Sequence, residues 1–204
     1  MEQTMYKILI ATSNKGKVAE FKALLAETGL DICTPNDIGL NIEVEENGAN
    51  YRENAGKKAS EYSIASGLLC IADDSGLEVD ALDGAPGLHS ARFSPKPGAT
   101  DADRRQMLLG KLAGAATPWT AQFHATVAIG TPDGRLFFTE GNCPGEIIPT
   151  ERGENGFGYD PIFLLPTLGR TMSELSMEEK NQLSHRAIAV KNAIPELLLL
   201  AKGG

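Results

Sequence analysis

The apolar run Leu68-Leu69-Cys70-Ile71-Ala72 leads without a break into Asp73-Asp74-Ser75-Gly76, and this junction limits the possible folds more than any other segment. Five consecutive apolar residues lack the alternation of a half-solvated strand, so the segment reads as a strand buried on both faces. The two carboxylates then read as a polar turn at its C-terminal end, where α/β sheets place groups that meet a ligand. Leu77 to Val79 reads as a short return strand beyond that turn.

A strand–turn–helix pattern precedes it. Lys7 to Ala11 is a short apolar run, and after Thr12-Ser13-Asn14-Lys15-Gly16-Lys17 the apolar positions Val18, Phe21, Leu24 and Leu25 recur at helical spacing. Gly29 suits the end of that helix, and Leu30 to Thr34 reads as a strand leading to the acidic stretch Glu43 to Glu46. A second helix is expected over Asn50 to Ser66, closed by Gly67. Thr100 and Asp103 form a capping-box pattern opening a helix through Leu112. Gln122 to Ile129 and Leu136 to Thr139 read as strands joined at Asp133-Gly134, a hairpin signal. A Ser176-to-Glu179 cap and the apolar positions from Ala187 to Leu200 predict C-terminal helices, with Pro195 kinking or dividing the last.

Composition narrows the class. The 204 residues, 42% hydrophobic and 23% charged, suit one globular domain, two-lobed at most, because no Pro/Gly/Ser-rich linker divides them. A net charge of −8 argues against a nucleic-acid backbone as partner, since such binding relies on clustered Lys and Arg. Met1 to Lys7 has no apolar stretch fit for a signal peptide, and no segment approaches the ~20 apolar residues of a membrane span. Cys33, Cys70 and Cys143 are odd in number and scattered, which indicates neither a disulfide framework nor a zinc site. A soluble, cytoplasmic protein in a reducing compartment is expected.

Several segments carry groups suited to chemistry. Thr12 to Lys17 would put hydroxyls, ammonium groups and the N–H groups of a helix start together, a setting for phosphate, although the Walker spacing is absent. The alternative for these residues is a capped surface turn. Asp73-Asp74 could hold a metal or activate water, or could merely cap a turn. Glu45-Glu46 could complete an oxygen-ligand set for Mg²⁺, and Lys57 and Lys58 lie on the second helix. Gly153-Glu154-Asn155-Gly156-Phe157-Gly158-Tyr159-Asp160 places two aromatics among three glycines, which lets a ring stack on a flat ligand such as a nucleobase; the alternative is that both rings pack into the core. Ser184-His185-Arg186 adds directional donors.

Taken together, the segments Ile10 to Lys17, Glu53-Asn54-Ala55 with Lys58, Ala72 to Leu77, Gly84 to Gly87 with Ser90-Ala91-Arg92, Gly156 to Phe163, Glu179-Lys180 and Ser184 to Arg186 resemble the inosine triphosphate pyrophosphatase family. The resemblance covers nearly the whole chain. It implies an α/β fold with a long twisted mixed sheet, helices on both sides and two lobes around a central substrate cleft, in a homodimer. It also implies hydrolysis of non-standard purine nucleoside triphosphates (ITP, dITP, XTP) to the monophosphate and pyrophosphate. By residue it puts the triphosphate on Thr12, Ser13, Asn14, Lys15, Gly16 and Lys17, with Lys58 on phosphate and Ser75 touching substrate. Mg²⁺ falls on Glu45 and Asp74, with Glu46 the neighbouring alternative, and Asp74 is the general base. Phe157, Gly158, Tyr159, Asp160, Lys180, His185 and Arg186 form the base and ribose side. Two rivals are a Maf-like pyrimidine nucleotide pyrophosphatase and a nucleotide-sensing module without turnover; clustered carboxylates favour an enzyme, because they repel an anion unless a metal intervenes.

Overall fold

The structure is a computed structural model and describes residues 6–203; what the sequence implies for Met1 to Met5 lies outside them. Its principal elements are β1 (Lys7–Ile10), α1 (Lys15–Leu25), β2 (Asp31–Cys33), α2 (Tyr51–Ser66), β3 (Leu69–Val79), α3 (Asp101–Leu112), β4 (Trp119–Gly130), β5 (Leu136–Ile147), β6 (Phe163–Leu165), β7 (Arg170–Thr171), α4 (Met177–Leu183) and α5 (His185–Gly203). The strands hydrogen-bond in the order β2-β1-β3-β4-β5-β6-β7. β1 runs parallel to β2 and β3, while β6 is antiparallel to β5 and β7, so the sheet is mixed and the fold α/β.

The helix boundaries follow local chemistry. Asn14 caps α1, its side chain accepting from the N–H groups of Gly16 and Lys17. Asn50 caps α2 in the same way, and Gly67 closes that helix in a left-handed conformation. The Thr100/Asp103 and Ser176/Glu179 capping boxes open α3 and α4.

Two compact units share the chain. The first comprises residues up to Asp74, Ala125–Gly141 and the chain from Arg186; the second comprises Ser75–His124 and Asn142–His185. In the first unit, side-chain alternation sorts each strand onto two faces. Ile8, Ile10, Ile71, Val127 and Ile129 pack with Phe21 and Leu25 of α1 and with Ala189, Val190 and Leu197 of α5. Leu9, Ala11, Cys70, Ala72 and Ala128 face the other way, onto Ala55 and Ala59 of α2. The second unit has its own core, in which Leu108 and Leu112 of α3 pack with Leu77, Phe123, Tyr159, Ile162 and Phe163.

Two expectations are corrected. Asp73 to Gly76 are not a turn: β3 is continuous from Leu69 to Val79, with the aspartates in mid-strand. Their low strand propensity is overridden by hydrogen bonding within the sheet and by charged partners on both faces, described below. Pro195 does not divide the last helix, because α5 runs through it as one element. The hairpin strands also extend well beyond the expected limits, to Trp119 and Ile147.

α2 lies so close to β4 that a Cβ on Gly130 would fall against the Ala59 carbonyl, a backbone group that cannot swing aside. Gly130→Ala is therefore expected to destabilise the protein by ~1–3 kcal/mol through overpacking, measured as a lower urea midpoint with an unchanged slope.

Candidate functional site

β3 places Asp73 and Asp74 on opposite faces of the sheet, because consecutive strand residues point to opposite sides. Asp73 shares the face of Ile71, toward α1 and α5. Its Oδ2 accepts from Arg186 Nε at 3.0 Å and pairs with Arg186 Nη2 at 2.9 Å and Lys17 Nζ at 3.1 Å. Glu20 of α1 takes the remaining arm of Arg186 through Nη1. The Asp73 side chain is 0% exposed and those of Arg186 and Glu20 are 3% each, so these charges are removed from water and held by one another. Burial opposes ionisation of Asp73, but Arg186 and Lys17 outweigh it and hold its carboxyl below the ordinary range. Burial lowers the pKa of Lys17, with Asp73 resisting and Arg186 and Lys58 adding to the effect.

Asp74 shares the face of Cys70 and Ala72, toward α2. Its Oδ2 accepts from Asn54 Nδ2 at 2.9 Å, and its Oδ1 lies 3.8 Å from Lys58 Nζ. Asn54 is itself fixed, since its Oδ1 accepts the Gly48 N–H at 2.7 Å and so decides which end of the amide faces Asp74. Burial pushes the Asp74 carboxyl up, against Lys58 and Asn54, and the charge of Glu46 adds to the rise.

The acidic loop separates its two glutamates. Glu46 Oε2 lies 3.2 Å from Lys58 Nζ, so Glu46 and Asp74 flank one ammonium group. Glu45 is exposed and accepts from Asn47 Nδ2 at 2.9 Å. Two carboxylates across one lysine suit a hard cation. On the opposite face the buried Asp73 Oδ1 has no hydrogen-bond partner. Among the described residues no three His, Cys, Asp or Glu side chains group as a metal site. A Mg²⁺ here would complete its shell with water and substrate oxygens, as that ion commonly does.

At Thr12 to Lys17, Thr12 Oγ1 accepts the Asn14 N–H at 3.2 Å. Two N–H groups of the first helical turn are used by Asn14, so the donors of this segment are chiefly side chains: Thr12, Ser13, Lys15 and Lys17. Parallel pairing of β1 with β3, Ile10 opposite Ile71, brings the segment beside the aspartates.

In the second unit, Phe157 to Asp160 form a tight loop. Gly156 has φ +78, and Asp160 Oδ2 fills the place a Cβ would need. Asp160 accepts the Phe157 N–H at 2.9 Å and pairs with Lys180 Nζ at 2.6 Å, both side chains being 5% exposed. Lys180 also stands 5.0 Å from the Phe157 ring centroid. The two aromatics differ in role. Tyr159 belongs to the core and donates its hydroxyl to the Ser90 carbonyl at 2.9 Å, whereas Phe157 is half-exposed. His185 is buried and stacks on Phe123 with centroids 4.7 Å apart, so His185 and Arg186, adjacent in sequence, serve different clusters. Ser75 is half-buried in β3.

Sequence reasoning did not find Glu20, the role of Asn54, or the part played by Asp73. Glu20 is an acid on a buried helix face, an oddity visible in sequence, but its partner lies 166 residues away. Among the described residues no helix is long and apolar enough to cross a membrane. Cys33, Cys70 and Cys143 are free and buried.

The fold and site together are those of a mixed α/β protein with Lys17 and Lys58 paired to adjacent aspartates of one strand. The family model of the Ham1 family matches residues 8–196. The chain is 45% identical over 189 residues to the dITP/XTP pyrophosphatase of Desulforamulus reducens, covering 92% of this chain and 94% of that one. It is 44% identical to the Listeria monocytogenes dITP/XTP pyrophosphatase, covering 95% and 96%. The solved structure of a HAM1 protein from Coxiella burnetii superposes with a TM-score of 0.82 at 36% identity, over 98% of this chain and 100% of that one. The chain belongs to the Ham1 family.

The two aspartates make opposite contributions to stability. Asp73, depressed in the fold, contributes stability present above the unfolded aspartate pKa of ~3.9 and lost as the pH falls below it. Asp74, raised in the fold, is ionised there at a cost, so above its folded pKa it subtracts from stability. At pH 7 in metal-free buffer, Asp73→Asn is expected to lose ~3–5 kcal/mol by unbalancing a buried ion pair, while Asp74→Asn raises the melting temperature. Thermal denaturation of the two variants side by side checks both signs.

Proposed function

We propose that this chain hydrolyses non-standard purine nucleoside triphosphates, ITP, dITP and XTP, to the monophosphate and pyrophosphate. The observation that carries the reading is Asp74, a buried carboxylate held by Asn54 and Lys58 on the strand whose preceding residue binds Lys17, in a chain of the Ham1 family. The names of its relatives supply the substrate class.

In this reading Thr12, Ser13, Asn14, Lys15, Gly16 and Lys17 take the triphosphate, and Lys58 adds a further ammonium group. Asp73 keeps Lys17 in place and charged as burial weakens its hold on a proton. Asp74 orients the attacking water and accepts its proton, a role helped by a carboxyl pKa moved up toward working pH. Mg²⁺, held by Asp74 with a glutamate of the 45–46 loop, would neutralise charge on the phosphates. The sharing of Lys58 favours Glu46 over Glu45 for that place. Ser75 contacts substrate. In the second unit Phe157 offers a ring to the purine, with Gly158, Tyr159 and Asp160 shaping the loop and Lys180 and His185 as donors. Arg186, in the first unit, is assigned a donor role toward a 6-oxo group, which requires it to exchange a carboxylate partner for the ligand. A homodimer in the cytoplasm completes the proposal.

Incubation with ITP and Mg²⁺ is expected to yield IMP and pyrophosphate; IDP and orthophosphate would mean a different hydrolase. Asp74→Asn should lower kcat by ~10²- to 10⁴-fold, and a variant keeping a tenth of wild-type kcat removes the base from Asp74. Adenine presents an amino donor where hypoxanthine presents an acceptor, and donors left facing it can cost ~10⁴-fold. A panel of kcat/KM values should therefore place ITP and XTP far above ATP, with Arg186→Ala narrowing the gap. Pyrimidine triphosphates preferred over ITP would instead indicate the Maf-like reading.

A further inference from the structure

Helix α3 grips one residue of the Phe157–Asp160 loop by both of its polar backbone groups. Asp101 Oδ2 accepts the Gly158 N–H at 2.8 Å, and Arg105 Nη1 donates to the Gly158 carbonyl at 2.8 Å. Asp101 and Arg105 are four residues apart and so share a helix face. Each is braced in turn. Arg104 Nη2 donates to Asp101 Oδ1 at 2.7 Å, and Arg105 meets Glu151 in a two-pronged pair, Nε to Oε1 and Nη2 to Oε2, both at 2.8 Å. The helix is anchored in the core below by Leu108 and Leu112, both fully buried.

The N–H of Gly158 belongs to the peptide joining it to Phe157, and its carbonyl to the peptide joining it to Tyr159. Holding both fixes the two peptide planes around a residue at φ +61, a conformation that glycine adopts without strain but does not itself enforce. The two peptides that follow Phe157 are thus held by two side chains more than fifty residues away in sequence.

We propose that Asp101 and Arg105 are positioning residues for base recognition: by clamping Gly158 they set the pose of Phe157, and with it affinity and selectivity for the purine but not for the phosphates. This rests on the reading that the Phe157–Asp160 loop takes the base. A merely structural fastening would affect every ligand alike.

The test compares inhibition by IMP, which carries a base, with inhibition by inorganic pyrophosphate, which does not, using the full chain with Mg²⁺. Asp101→Ala and Arg105→Ala are expected to raise the IMP inhibition constant ~3- to 10-fold, the loss of one well-made hydrogen bond, and to lower the ITP-to-ATP ratio of kcat/KM similarly. The pyrophosphate constant should stay within about twofold, and Asp101→Asn, which keeps an acceptor for the Gly158 N–H but faces Arg104 with an amide NH2, should weaken IMP less than Asp101→Ala does. Should the alanine variants not fold, Arg105→Lys carries the test, since one ammonium cannot serve Glu151 in two prongs and Gly158 together; the same split between inhibitors is expected. Phe157→Ala separates the two levels of the argument. If it weakens IMP while the α3 variants leave IMP untouched, or move IMP and pyrophosphate together, the clamp is overturned and the loop reading stands. If Phe157→Ala and the α3 variants all leave IMP unchanged, the loop does not hold the base and both fall.

Discussion

The two-residue period of β3 is the constraint from which the charged centre follows. One strand, passing Asp73 and Asp74 in succession, delivers one carboxylate to α1 and α5 and the next to α2. The same alternation sends Ile71 to one hydrophobic layer and Cys70 and Ala72 to the other, so the register that builds the core also aims the acids. A slip of one residue would exchange the aspartates between faces and move Ile71, Cys70 and Ala72 into each other's layers.

The faces treat like charges differently. On one, Asp73 is fully buried, and two cations and a second acid, Glu20, satisfy each other so closely that its carboxylate is locked ionised. On the other, Asp74 has one ammonium shared with Glu46 and one amide, and burial wins. The charged partners hold one carboxyl down and burial moves the other up. Neighbouring acids whose environments drive them apart are a common signature of a site where acid and base tasks are divided.

The second unit works by backbone control. Gly156 admits the Asp160 carboxylate against the chain, and Gly158 leaves both of its peptide groups open to α3. With Tyr159 turned into the core and tied to Ser90, Phe157 remains as the loop's half-exposed ring. Lysine 180 then links loop and helix through Asp160 and the ring together.

Much of this was legible in the residues. Caps at Thr100 and Ser176, the closing glycines and the apolar period of α1 are local effects, so short windows reveal them. The Thr12–Lys17 segment and Asp74 stood out because polar residues abruptly follow buried strands. The sequence alone misread Asp73 to Gly76 as a turn, since Asp, Ser and Gly favour turns when only near neighbours are weighed. Tertiary structure decided otherwise, because cations 56 and 113 residues distant from Asp73, together with the flanking strands, stabilise an extended backbone there. It likewise separated His185 from Arg186, chose Glu46 over Glu45 as the neighbour of Lys58, and brought Asp101 and Arg105 to Gly158. Local propensity is a sum over adjacent residues and can be read from them. Which charge meets which across a sheet depends on the closed fold, where burial makes each pairing strong enough to overrule it.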